Sequence, residues 1–166
     1  MIEYCEGNLL DADAEALVNT VNTVGVMGKG IALQFKQRFP LMAKEYEAVC
    51  RRHGLQTGKV HLWKNAFFPP RYIINFPTKE HWKRKSKIAF ITTGLQDMVS
   101  VIQTYHIQSI AVPPLGCGLG GLSWTEVEIE IQKYLAPLNE VKVLLFPPAG
   151  FGAAIARWRQ KNAVLR

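Results

Sequence analysis

Lys79 is the residue whose position most clearly favours chemistry. It follows the apolar run RYIINFP (71–77) and one threonine, and it begins the charged run KEHWKRKSK (79–87). A lysine at the end of a buried strand is partly buried, and burial readily lowers the pKa of a lysine amine. A lysine in a solvated charge run has no such environment. The sequence therefore poses two interpretations of Lys79, as a site residue or as the first cation of the run.

Two glycine-rich loops each follow an apolar strand-like run and precede a helical pattern. They are VNTVNTVGVMGKGIA (18–32) and VPPLGCGLGGLSW (112–124). Glycines let backbone N–H groups approach a ligand closely, and a helix N-terminus adds partial positive charge. Two such loops at the carboxyl ends of parallel strands suit a diphosphate. Neither loop fits a Walker A motif or GxGxxG with its distant acidic residue, which disfavours an NTPase and a standard dehydrogenase.

Two asparagines lie in the strand that leads into the first loop. Buried amides need hydrogen-bond partners. For Asn19 we expect a structural role, with bonds to loop backbone. Asn22 lies nearer the glycines, where its amide can meet a ribose hydroxyl.

Strand and helix patterns alternate along the chain, which predicts an α/β fold with a largely parallel sheet. Strands are expected in IEYCEG, EALVNTVN, KVHLWK, RYIINFP, QSIAVPP and VKVLLFPP, and helices in 29–39, 41–54, 86–105 and 124–135. Pro40 separates the first two helices. We expect Ser86 to cap the third helix, and Ser123 with Glu126 to form a capping box on the fourth.

These motifs, in this order, resemble the macrodomain family of ADP-ribose-binding modules. The resemblance covers EGNLL (6–10), ALVNTVN (16–22) and both glycine loops. It implies a three-layer α/β/α macrodomain with a central mixed, largely parallel sheet over residues 1–148, and leaves 149–166 as a tail, terminal helix or start of a linker. NTVNTVGVMGKGIALQFKQRFP (19–40) and IINFPTKEHW (73–82) are most similar to the lysine-dependent branch that contains the DarG-type antitoxins.

The resemblance also implies an activity and a site. The activity is hydrolysis of ADP-ribose from thymine bases of single-stranded DNA, which opposes a DarT-type toxin. Lys79 and Asn22 fall on the residues that the family uses for catalysis and for holding the distal ribose. The implied ADP-ribose contacts are Gly7, Asn8, Leu9, Thr20, Asn22, Gly25, Val26, Met27, Gly28, Gly30, Thr78, Pro114, Leu115, Gly116, Cys117, Gly118, Leu119 and Gly120.

Other family activities stay open: hydrolysis of ADP-ribose from protein carboxylates, removal of phosphate from ADP-ribose 1″-phosphate, and non-catalytic ADP-ribose binding.

Two positions depart from family patterns. Asn8 replaces an aspartate that binds the adenine amino group. An amide oxygen can still accept that bond, but without charge, and the sequence leaves the effect on adenine affinity open. Gly120 replaces the aspartate that serves the terminal ADP-ribose protein glycohydrolase, which argues against a two-residue Lys/Asp mechanism and agrees with the DarG-type pattern.

Lys79 has two possible roles in such a reaction. As a neutral amine it can attack C1″ of the distal ribose, and as an ammonium it can stabilise or protonate the departing base. Burial favours the first role and a bound diphosphate favours the second. The sequence does not decide between them.

The run after Lys79 mixes cations with an aromatic. His81, Trp82, Lys83, Arg84 and Lys85 are expected to contact single-stranded DNA, with cations on phosphates and the tryptophan on a base. The alternative is an ordinary solvated loop and helix start. Cations in the first turn of a helix oppose its dipole, which supports a use for them outside the helix.

Composition agrees with a single cytoplasmic domain. The chain has 166 residues, a net charge of +7 and three cysteines without metal-ligand spacing. A basic excess suits polyanionic or phosphate-bearing partners. Since no signal peptide or membrane-spanning run is visible, we expect a cytoplasmic protein. We also expect a monomer that needs no metal and no cofactor.

Overall fold

The computed structural model describes residues 1–163. Six strands alternate with five helices, in the order the patterns predict. The strands are β1 (Ile2–Tyr4), β2 (Ala16–Asn22), β3 (His61–Lys64), β4 (Tyr72–Lys79), β5 (Ser109–Val112) and β6 (Lys142–Leu145); the helices are α1 (Gly30–Arg38), α2 (Pro40–Arg51), α3 (Ile88–Thr104), α4 (Trp124–Leu135) and α5 (Gly152–Ala163).

One mixed sheet forms the middle layer, with the strand order β1-β6-β5-β2-β4-β3. All neighbours are parallel except β3, which pairs with β4 in the antiparallel sense. The predicted three-layer α/β/α arrangement with a mixed, largely parallel sheet is confirmed. Because β2 lies between β4 and β5, the segments that follow these three strands emerge side by side.

Two apolar cores separate the layers, one on each face of the sheet. Helices α3 and α4 cover one face, with Phe76, Leu95 and Ile131 among its buried side chains. Helices α1 and α2 cover the other, where Phe35 and Tyr46 are buried. The largely apolar, buried sequences of β4 and β5 follow from this two-sided burial, which parallel strands under helices require.

Two predicted helix caps are absent. Helix α3 begins at Ile88, with Lys87 at the capping position and without a side-chain cap, so Ser86 does not cap it. Ser123 does stand at the start of α4, but its hydroxyl makes no capping bond and the box with Glu126 does not form. Ser86 is instead packed under the second glycine loop, a contact that no local pattern signals.

The C-terminal segment ends in a helix that packs on the body of the protein. Helix α5 lies against β1, where the rings of Trp158 and Tyr4 are 6.5 Å apart. Phe151, just before α5, meets the ring of Trp124 edge-on at 6.4 Å. The described part of the tail is thus helical, while residues 164–166 lie outside the described residues. The boundary at residue 148 stays a prediction.

Candidate functional site

The site lies at the carboxyl ends of β2, β4 and β5. The first glycine loop (residues 23–29) follows β2, the second (residues 113–123) follows β5, and Lys79 ends β4. Ligands of open α/β sheets bind in the crevice outside such strand ends. The fold therefore brings together the two loops and the lysine that sequence reasoning singled out separately.

A β-bulge sets the direction of Lys79. Val21 pairs with Pro77, but the next residue of β2, Asn22, pairs with Lys79, so Thr78 is an extra residue in β4. Bulges of this kind bend a strand and re-aim the side chains beyond them. The result is that Asn22 and Lys79 stand opposite each other.

The Lys79 amine is held at the second loop. Its Nζ donates a hydrogen bond to the Leu119 carbonyl at 3.0 Å. Burial lowers the pKa of this amine below its usual 10.5, so the neutral form is more accessible than in a solvated lysine. Of the two interpretations of Lys79, the geometry supports the site residue.

Asn22 is almost fully occupied by the first loop. Its Oδ1 accepts from the N–H groups of Val24 and Val26 and from the Tyr46 hydroxyl, at 3.1, 3.2 and 3.0 Å. Its Nδ2 donates to the Val26 carbonyl at 2.8 Å. An amide has two N–H donors, so in this conformation Asn22 has one hydrogen left to offer a ribose hydroxyl. Its contact with ribose stays a prediction.

Tyr46 on α2 supports this loop, and sequence reasoning missed it. The side chain is fully buried, and its single hydroxyl hydrogen is shared between Asn22 Oδ1 and the nearer Asn22 carbonyl oxygen, which lies at 2.7 Å. Burial raises the pKa of the phenol, so it remains a donor at any physiological pH. On the same helix, Cys50 packs against Gly25, leaving only 3.3 Å for a Cβ at that glycine.

Asn19 has the structural role expected of it, but with different partners. Its Nδ2 donates to Asn75 Oδ1 at 3.0 Å, and the Asn75 amide in turn meets His61 Nδ1 at 3.1 Å. The expected bonds to loop backbone are therefore wrong. Asn19 is fully buried inside the sheet and points away from solvent.

The second loop leaves no room for a side chain at Gly120. A Cβ there would lie 2.4 Å from both the Gly116 carbonyl oxygen and the Ser86 hydroxyl. Gly116 itself has φ +71°, which disfavours any other residue. Since the obstruction at 120 includes backbone, an aspartate beside Lys79 would require the loop to rearrange.

The remaining predicted ligand contacts divide by exposure. Leu9, Met27 and Leu115 have side chains in the core, so only their backbone can reach a ligand, and Thr78 is buried as well. Leu119 and Val26 expose 70% and 42% of their surface at the rim of the site. The exposed or half-exposed set is completed by Gly7, Asn8, Thr20, Gly25, Gly28, Gly30, Pro114, Cys117 and Gly118.

Asn8 is committed to its own loop. Its Oδ1 accepts from the Leu10 N–H at 3.1 Å and so caps a short 3₁₀ turn, Leu9–Asp11. An amide oxygen shared in this way, and without charge, is a weaker acceptor for an adenine amino group than a free carboxylate.

The charge run forms a hydrogen-bonded turn, here called the strap (residues 80–86). The Arg84 side chain bonds Glu80 at 3.1 Å, so Arg84 neutralises a carboxylate next to Lys79. The His81 ring stacks on Trp82 at 5.2 Å, and the Lys83 amine lies 4.9 Å from the Trp82 ring centre. Lys83 and Lys85 are both exposed. A phosphate at Lys83 or a base at Trp82 would compete with the contacts that His81, Trp82 and Lys83 make with one another.

Two other features of the described chain bear on function. Among residues 1–163 no cluster of metal-ligating side chains occurs, and no helix is long and apolar enough to cross a membrane. A groove of about 560 Å³ lies elsewhere, between β1, α4 and α5, and is lined by Tyr4, Gln132 and Trp158. It has neither a glycine loop nor a lysine at a strand end, so we place the site at the carboxyl ends.

A family model named Macro domain matches residues 18–131, a span that contains most of β2, both glycine loops and Lys79. The chain belongs to the macrodomain family. The described fold agrees: the macrodomain of Mycobacterium tuberculosis DarG superposes with a TM-score of 0.88 at 51% identity, over 90% of this chain and 99% of that one.

Longer relatives carry this macrodomain as one part. The DNA ADP-ribosyl glycohydrolase of Mycobacterium tuberculosis is 51% identical over 156 residues, which are 93% of this chain and 44% of the relative. The Thermosipho africanus DarTG structure in complex with ADP-ribose has a TM-score of 0.83 at 36% identity, over 89% of this chain and 42% of that one. The present macrodomain thus spans less than half the length of these relatives.

Proposed function

We propose that this macrodomain removes ADP-ribose from thymine bases of single-stranded DNA, and that it thereby opposes a DNA ADP-ribosyltransferase toxin. The observation that supports the proposal most is the position of Lys79. A bulge directs its side chain into the crevice between the two glycine loops, and burial lowers the pKa of its amine. The relative that is named a DNA ADP-ribosyl glycohydrolase supports the choice of substrate.

The two glycine loops hold the ADP-ribose in this proposal. The diphosphate binds to backbone N–H groups of the second loop and to the N-terminus of α1. This helix begins at Gly30 and has no side-chain cap. The adenosine lies towards Asn8, and the distal ribose lies between Asn22 and Lys79. The scissile bond, from C1″ to the thymine nitrogen, then faces the Lys79 amine.

Cleavage of this bond builds oxocarbenium character on C1″ and negative charge on the leaving thymine. Lys79 acts either as a neutral nucleophile on C1″ or as an ammonium that stabilises the departing base. The two roles predict opposite pH dependence of the hydrolysis rate near the amine pKa, rising with pH for the nucleophile and falling for the ammonium. The crowding at Gly120 supports a mechanism that uses no carboxylate at that position.

In this proposal, the strap binds the DNA strand that carries the modified base. Its exposed cations, Lys83 and Lys85, follow the reacting lysine directly, and Trp82 is 49% exposed. Binding should weaken with salt, and Lys83→Ser should reduce the slope of log K against log salt by about 0.7 for a single strand. Lys133→Ser is the matched control, because Lys133 also lies over an aromatic ring but on α4. Equal slopes for both variants would contradict the strap assignment.

The substrate comparison tests the proposal. The protein is incubated with a thymine-ADP-ribosylated oligonucleotide, a glutamate-ADP-ribosylated protein and ADP-ribose 1″-phosphate, and released product is quantified. We expect ADP-ribose release from the oligonucleotide at a rate well above the other two reactions. Preferential turnover of the ADP-ribosylated protein or of ADP-ribose 1″-phosphate would assign a different hydrolase activity. Binding of ADP-ribose without any turnover would indicate a non-catalytic ADP-ribose-binding module.

A further inference from the structure

The strap is tied to both glycine loops. At its start, Thr23 Oγ1 of the first loop donates to the Glu80 carbonyl at 2.8 Å. At its end, the Ser86 N–H donates to the Gly120 carbonyl of the second loop at 3.0 Å. The segment that carries the charge run therefore bridges the two sides of the crevice.

Lys79 stands at the point where regular strand pairing ends. It is the last residue of β4 paired with β2, directly after the bulge at Thr78. Beyond it, the Glu80 carbonyl accepts the Thr23 hydroxyl across a separation of 57 residues. The peptide that follows Lys79 is thus fixed by a side chain of the first loop, while the Lys79 amine is fixed by the second loop.

We propose that Thr23 is a positioning residue for Lys79, which acts through the Glu80 carbonyl to hold the lysine backbone in the orientation that places its amine in the crevice. The proposal rests on the proposed function only in assigning a reaction to that amine. Without the Thr23 hydroxyl, the Glu80 peptide is free to turn towards water, and the Lys79 side chain follows it out of the crevice.

A matched pair of variants isolates the hydroxyl. Thr23→Val keeps the shape of the side chain and removes the donor, while Thr23→Ser keeps the donor. With Thr23→Val we expect kcat for the ADP-ribosylated oligonucleotide to fall about 3- to 10-fold, the range of one net hydrogen bond. The Kd for ADP-ribose should stay within about twofold of the wild-type value, because Thr23 is proposed to make no contact with the ligand. Loss of a ligand hydrogen bond would change the Kd by more than this. Thr23→Ser should retain the wild-type kcat.

A second readout does not depend on hydrolysis. The pKa of the Lys79 amine is measured by NMR on protein with ¹³C-labelled lysine, with the signal assigned through Lys79→Arg. In Thr23→Val the pKa should move up towards its ordinary value, because the amine leaves its partly buried position, and in Thr23→Ser it should stay as in the wild type.

These readouts separate the two proposals. If the wild-type protein fails to hydrolyse the oligonucleotide, the proposed function is wrong, and the Lys79 pKa still tests the role of Thr23. A pKa that is unmoved in Thr23→Val overturns the positioning role. So does a parallel loss of kcat and ADP-ribose affinity in Thr23→Val, which would mean that the hydroxyl merely stabilises the loop.

Discussion

Replacement of Gly120 by alanine should strain the second loop. The new Cβ would lie 2.4 Å from the Gly116 carbonyl oxygen and 2.4 Å from Ser86 Oγ. The serine can rotate, but the carbonyl is backbone, so the loop must move. Overpacking of this kind costs about 1–3 kcal/mol. At about 2–4 °C per kcal/mol for a domain of this size, Tm should fall by about 2–12 °C.

Gly118→Ala is the control for this prediction. It lies in the same loop, and a Cβ there meets nothing within 4 Å. Neither Gly118 nor Gly120 has a positive φ, so both substitutions restrict the unfolded chain alike and the difference between them isolates the clash. The assay is thermal and urea unfolding of both variants beside the wild type. Equal stability of the two variants would refute the reasoning.

Loss of the loop geometry at Gly120 should also reach the lysine. The neighbouring Leu119 carbonyl is the acceptor for the Lys79 amine. In Gly120→Ala we therefore expect slower hydrolysis. Because the proposed diphosphate contacts are backbone N–H groups of this same loop, ADP-ribose binding, measured by calorimetry, should weaken as well. Unchanged hydrolysis in a destabilised variant would show that the Leu119 carbonyl is not needed to hold the amine.

Three further predictions follow from buried groups. Tyr46→Phe leaves the Asn22 carbonyl without its hydroxyl partner and should lower the free energy of unfolding by about 1–3 kcal/mol in urea titration, whereas Tyr134→Phe, at a surface hydrogen bond, should change it little. Burial raises the Cys117 pKa to about 11, so iodoacetamide at pH 8 should alkylate this thiol more slowly in the folded protein than in urea. Equal alkylation rates, measured by mass spectrometry, would show that burial does not protect the thiol from alkylation. Partial burial lowers the Lys79 pKa, so the unfolded state binds the proton more tightly. Between the lowered pKa and 10.5, the free energy of unfolding should therefore rise with pH relative to Lys79→Met. Identical pH profiles of the two proteins would contradict a partly buried amine.

The parts of the site that have a local signature were predictable from the sequence. Glycines between an apolar run and a helical pattern indicated both loops, and the end of RYIINFP placed Lys79 at the edge of a sheet. Both predictions depend on periodicity and on residues with unusual backbone freedom, and these are properties of short segments.

The supports of the site have no such signature. Tyr46 reaches Asn22 across the face of the sheet, and Thr23 reaches Glu80 from a different strand end. The bulge at Thr78 depends on how β4 registers against β2, which no single strand encodes. Ser86 has the residue type of a helix cap, yet tertiary packing under Gly120 decides its place.

The most direct test of the proposed function is a single-turnover assay of wild type and Lys79→Ala with a thymine-ADP-ribosylated oligonucleotide, with ADP-ribose affinity measured on the same samples. We expect Lys79→Ala to keep its affinity for ADP-ribose, because the glycine loops are intact, and to lose hydrolysis. Wild-type hydrolysis by Lys79→Ala would contradict the account, because the reaction would then proceed without the amine around which the crevice is arranged.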